Sequence, residues 1–227
     1  VLLLALDTSA AATVALLHDD VVVARFSSAD TRSHAEVLAP AVQRILADAG
    51  VSGSDLDAVV AGVGPGPFTG LRAGLVTART LSFVWGVPLH GVMSLEALAY
   101  DAVAGGVLAD GRGFLVGTDA RRGEVYWAAY RAPASSGRRL PELVRGPHVG
   151  AASTLPKGQP LVGRAASLYP DDVEGVQAFA AADPDAVSLG RVARSRLLAG
   201  EPLPDTTPLY LRDSDARVPG PRKRATA

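Results

Sequence analysis

Apolar residues dominate the start of the chain in short runs. Residues 1–6 are all Val, Leu or Ala and end at Asp7; residues 13–17 and 21–26 are similarly β-rich. Residues 8–12 and the His18-Asp19-Asp20 segment separate them, so three consecutive antiparallel strands are predicted. A helix follows. Ser33 stands three residues before Glu36, the spacing of a capping box. Val37, Leu38, Ala41, Val42, Ile45, Leu46 and Ala49 then fall on one broad face, and Gly50 supplies the stop.

Residues 57–63 read as a buried strand, and the glycine-proline loop 64–70 leads into a second helix at about 71–85, closed by Gly86. A strand at 88–92 and a helix from Ser94-Leu95-Glu96 complete a β-β-β-α-β-α-β-α order. Beyond it, 113–119 and 124–131 read as a hairpin about Arg121-Arg122-Gly123. Residues 132–163 show no placeable pattern. Asp183 is expected to cap a helix with Pro184 at its first position, running to about 199 before Gly200. The polar tail from Asp213, ending Arg222-Lys223-Arg224, is expected to be solvated and disordered.

Composition narrows the chemistry. At about 150 residues per domain, 227 residues make one and a half domains. Cysteine is absent, which excludes disulfide scaffolds, thiol nucleophiles and thiolate metal sites. The net charge of −1 gives no global field for nucleic acid or anionic membrane. The four histidines (His18, His34, His90, His148) form no helical metal-binding pair. All basic residues except Lys157 and Lys223 are arginine, which reads as compositional bias and carries no function. The six apolar N-terminal residues are too few for a signal peptide and no run of about 18 apolar residues occurs, so a cytoplasmic protein is expected.

Three segments are candidates for function. Asp7-Thr8-Ser9, at a strand end, reads either as a holder of hydrated magnesium or phosphate, or as a turn whose side chains bond the backbone. The loop Gly64-Pro65-Gly66-Pro67-Phe68-Thr69-Gly70 lacks the Gly-Lys-Ser/Thr ending of a phosphate loop, and its prolines have no N–H to donate. It reads as a rigid turn that aims the next helix. On that helix Gly70, Gly74, Ala78 and Ser82 recur every four residues. This stripe suits either internal packing or close approach of a partner's helix. There is no Gly-x-Ser-x-Gly elbow, and His34 beside Glu36 has a local explanation at a helix start.

Several runs carry a family resemblance. Leu4-Ala5-Leu6-Asp7-Thr8-Ser9, Arg32-Ser33-His34-Ala35-Glu36-Val37-Leu38, and Gly62-Val63-Gly64-Pro65-Gly66-Pro67-Phe68-Thr69-Gly70-Leu71-Arg72 stand in order along the chain. After them come Gly91-Val92-Met93-Ser94-Leu95-Glu96-Ala97-Leu98-Ala99, Asp119-Ala120-Arg121-Arg122-Gly123-Glu124-Val125-Tyr126 and Pro208-Leu209-Tyr210-Leu211-Arg212. Together they resemble the TsaB (YeaZ) family.

The resemblance implies an α/β actin/Hsp70/sugar-kinase-like (ASKHA) fold of two lobes, the second reduced. The expected lobes are 1–105 and 106–212, with a flexible basic tail at 213–227. It implies a non-catalytic subunit of the complex that transfers threonylcarbamoyl to N6 of the tRNA adenosine 3′ of the anticodon. The expected partners are the catalytic subunit TsaD, the ATPase TsaE through the complex, tRNA indirectly, and a second copy in isolation. Ser94 and Leu98 stand where the catalytic relative carries its histidine pair, so no metal is expected. No cofactor is expected either, with ATP confined to the partner interface. The expected interface comprises Leu38, Val42, Ile45, Gly70, Leu71, Gly74, Leu75, Ala78 and Ser82; Asp7, Thr8 and Ser9 form a vestigial nucleotide site. Rival readings are an ATP-dependent kinase with magnesium on Asp7, and a metal-dependent peptidase.

Overall fold

A computed structural model describes residues 1–28, 34–134 and 140–212. Ser33, and with it the expected capping box, and the tail from 213 lie outside the described residues.

The N-terminal strands β1 (Leu2–Asp7), β2 (Thr13–His18) and β3 (Val21–Ser27) pair antiparallel in sequence, as their short turns require. After α1 (His34–Ala49), β4 (Ala58–Gly62) returns parallel to β1. After α2 (Phe68–Trp85), β5 (Leu89–Val92) pairs parallel to β4. The sheet order is β3-β2-β1-β4-β5. The apolar run of β1 reflects burial on both faces. Leu4 and Leu6 join the core beneath α1 and α2, while Leu3 and Ala5 join the opposite core.

The second sheet is smaller. Helix α3 (Ser94–Ala104) leads into the hairpin β6 (Gly113–Asp119) and β7 (Glu124–Arg131). The order is β10-β9-β6-β7-β8, with β8 at Glu142–Ala151, β9 at Pro160–Val162 and β10 at Glu174–Gly175. The one-turn helix α4 (Ala165–Leu168) packs below it. Leu95, Leu98, Ala99 and Ala102 of α3 cover the other face against Phe114, Val116 and Tyr130.

Three expectations need correction. Helix α2 starts at Phe68, so the last three residues of the expected loop are helical. Helix α5 (Ala186–Leu198) is capped by Asp185, whose carboxylate accepts from the Val187 N–H at 2.7 Å. Asp183 is instead bound by Arg164 at 2.6 Å. The third concerns the boundary at 105/106. Ala186, Val187, Leu189, Val192 and Ala193 of α5 bury against Leu3, Ala5, Ala15, Leu17 and Val60, so the C-terminal part of the chain returns to complete the first lobe. Residues 204–212 then run as a strap. The Gly91 N–H donates to Pro204 O, Arg79 donates to Thr206, and Leu209 N–H donates to Val63 O.

Candidate functional site

Asp7, Thr8 and Ser9 are buried at the end of β1, with Ser94 of α3 beside them. Asp7 Oδ1 accepts from Ser9 N–H (2.8 Å) and from Ser9 Oγ–H (2.6 Å), and Oδ2 accepts from Ser94 Oγ–H (2.5 Å). The Ser94 oxygen in turn accepts from the Gly64 N–H, and the Ser94 N–H donates to Gly64 O. Burial pushes the Asp7 carboxyl above its ordinary value; the hydrogen bonds from Ser9 and Ser94 oppose this without reversing it.

The glycine-rich loop closes over this cluster. A Cβ on Gly62 would lie 1.9 Å from Asp7 Oδ2, and one on Gly74 would lie 2.3 Å from Thr8 Oγ1. On Gly66 it would meet the Ser9 backbone at 2.7 Å. Each member of Asp7-Thr8-Ser9 is thus met by a glycine of the β4–α2 segment. The two motifs form one interlocked packing unit, which explains the glycines without a phosphate.

Most of the expected interface residues are buried inside the fold. Leu38, Val42, Ile45, Leu75 and Ala78 lie in the core between α1, α2 and the sheet, and Gly70, Leu71 and Gly74 are buried too. Ser82 is half-buried and donates to Val87 O. Gly74 lets α2 sit close on Thr8 at the end of β1 and Ala78 packs in the core, which is the internal of the stripe's two readings. The opposite side of α2 carries what sequence reasoning missed: Val76, Phe83 and Val84 are exposed, Phe83 by 87%, with Phe68 at the N-terminal end. The signal was legible in part, since α2 has apolar residues on more than one face. Leu98, at the second position compared with the catalytic relative, is buried among Phe114, Val116 and Val162. Among the described residues no helix is long and apolar enough to cross a membrane.

Two features lie at the rim. Tyr210 of the strap packs on Phe68 (centroids 4.9 Å apart) and its hydroxyl accepts from Arg72 Nε. At the β6–β7 turn, Arg121 (φ 63°) and Arg122 (φ 57°) both adopt the left-handed conformation, which costs a non-glycine residue about 1–2 kcal/mol.

Residues 22–142 match the family model for tRNA N6-adenosine threonylcarbamoyltransferase, TsaD. An uncharacterized protein of Mycobacterium tuberculosis is 40% identical over 217 residues, 94% of this chain and 93% of that protein. The tRNA threonylcarbamoyladenosine biosynthesis protein TsaB of Bacillus subtilis is 37% identical over 134 residues, 57% of this chain and 55% of that protein. The structure of YeaZ from Pseudomonas aeruginosa superposes with a TM-score of 0.77 at 28% identity, covering 92% of this chain and 99% of that one. The superposition spans both sheets, so the chain has the α/β fold of YeaZ, with two five-stranded sheets.

Proposed function

Because the chain belongs to the TsaB (YeaZ) family, within the wider group that the threonylcarbamoyltransferase family model describes, we propose that it is a non-catalytic subunit of the tRNA threonylcarbamoyl-transfer machinery. Its role is to dock the catalytic relative, TsaD, through the solvent side of α2 and the adjoining exposed side of α1. TsaE joins through the assembled complex, which works on tRNA in the cytoplasm. Without the partner, a second copy covers the same face.

The exposed apolar row on α2 carries this reading. Phe83 is one of the largest apolar side chains and is almost fully in water, with Val84 beside it and Val76 two turns back. Such a row on a soluble helix marks an interaction surface. The interior gives complementary support. Both oxygens of the Asp7 carboxyl group already accept hydrogen bonds from the chain, which disfavours the kinase reading.

The test is capture of TsaD by the full chain, with threonylcarbamoyladenosine assayed in tRNA from the reconstituted mixture. Phe83→Asp and Val76→Asp are expected to lose capture and modification together while remaining folded. Undiminished capture by both variants, or full modification without this chain, overturns the proposal.

A further inference from the structure

The β6–β7 turn carries residues ill suited to its shape. Two consecutive left-handed positions favour glycine and asparagine, yet Arg121 and Arg122 occupy them, and both side chains are exposed. Arginine held at strained positions points to a use for the side chains.

Other arginines gather on the same rim. Arg212, from the strap, binds Glu124 and reaches the Arg121 carbonyl. Two residues before it, Tyr210 contacts Arg72, whose guanidinium lies 3.6 Å over the Phe68 ring. On the other side Asp119 pairs with Arg121 at 3.1 Å and also acts on Arg164, which Asp183 holds. Among the described residues, Asp119, Glu124 and Asp183 pair with Arg121, Arg212 and Arg164 of this group, in a chain whose net charge is −1.

We propose that this belt of Arg72, Arg121, Arg122, Arg164 and Arg212 is a ribophosphate-binding surface that holds an RNA backbone beside the α2 docking face. The proposal rests on the tRNA-modification reading and extends it from indirect to direct contact. The guanidinium fork matches phosphate in two-point geometry, which a lysine ammonium does not. Partial pairing with carboxylates holds Arg121, Arg164 and Arg212 in place and leaves other donors of each fork for a ligand. The partly exposed ring of Tyr210 at one end, packed on Phe68, offers a stacking face to an unpaired base. The belt adjoins the docking face at Phe68, so RNA and partner lie side by side.

The test replaces both turn arginines by residues that suit the backbone, Arg121→Asn with Arg122→Gly, in the full chain. Stability and binding are expected to move in opposite directions. The melting temperature stays level or rises, because the left-handed positions are relieved. Affinity for a transcribed tRNA, read by fluorescence anisotropy in low salt, falls several-fold, and the slope of log K against log salt shrinks by about 1–2. Arg164→Gln, away from the turn, lowers affinity in the same direction. Unchanged tRNA affinity in both variants overturns the inference. So does equal competition by polyglutamate, which marks an acidic-peptide surface, or equal binding to phosphatidylserine vesicles. A wild-type chain that supports modification yet shows no salt-dependent tRNA affinity sinks the belt and leaves the docking role standing. A chain dispensable for modification sinks the docking role, while the loss of affinity in the variants still measures the belt.

Discussion

Ser94 donates a 2.5 Å hydrogen bond to Asp7 across 87 residues of sequence, tying the start of α3 to the end of β1. The hydroxyl also accepts from the Gly64 N–H, so one side chain links the loop before α2, the helix that leads into the second sheet, and the first strand. Ser94→Ala leaves a buried carboxyl oxygen and a backbone N–H without this partner. The expected loss is about 1–3 kcal/mol, measured by urea unfolding. A variant as stable as the wild type would show that the bond contributes little.

The Asp7 carboxyl titrates with a sign set by its burial. Burial raises its value, so the folded chain holds the proton more tightly than the unfolded chain does. That contribution is present in full below the ordinary carboxyl range near about 4 and is lost as pH rises through the raised value. Asp7→Asn, which stays neutral, is therefore expected to gain stability relative to the wild type as pH rises above the ordinary carboxyl range. Paired urea titrations upward from that range should show the difference widening with pH; a constant difference rules out the linkage.

Gly74 tests how tightly α2 sits on β1. Gly74→Ala places a methyl group 2.3 Å from Thr8 Oγ1, and the expected cost is about 1–3 kcal/mol. Thr8→Ala removes the nearest atom, so the double variant should recover part of that loss as a coupling energy. Simple additivity of the two costs would contradict the close contact.

The two sides of α2 should separate cleanly. Leu71 is fully buried, and Leu71→Ala is expected to cost about 2–5 kcal/mol. Phe83→Asp should leave the unfolding midpoint close to that of the wild type and shift the sedimentation coefficient toward the monomer. A large destabilisation by Phe83→Asp would place that ring in the fold and not at an interface.

Much of this organisation was legible from pattern alone. The order β1 to α3 follows from apolar runs bounded by turn residues and helix stops, and these signals are local. What failed was direction and distance. The small stripe on α2 was plain in sequence, but whether Gly74 faced Thr8 or a foreign helix depends on how the helix is rotated. Asp183 and Asp185 are equivalent caps by local rules, and Arg164, distant in sequence, decides between them. Strand β8 gave no alternation because none of its residues is fully buried, and Gly146-Pro147 interrupts it. The Arg121-Arg122-Gly123 turn was visible as a turn, whereas its left-handed angles and its arginine neighbours were not.

The return of α5 to the first sheet bears on synthesis. Strand β5 ends at Val92, but the helix that covers Leu3, Ala5, Ala15, Leu17 and Val60 begins at Ala186. At about 5–20 residues per second, one apolar face of that sheet awaits its cover for roughly five to twenty seconds on the ribosome. The first lobe therefore matures last, and a nascent chain stalled before α5 presents a ready client surface to chaperones.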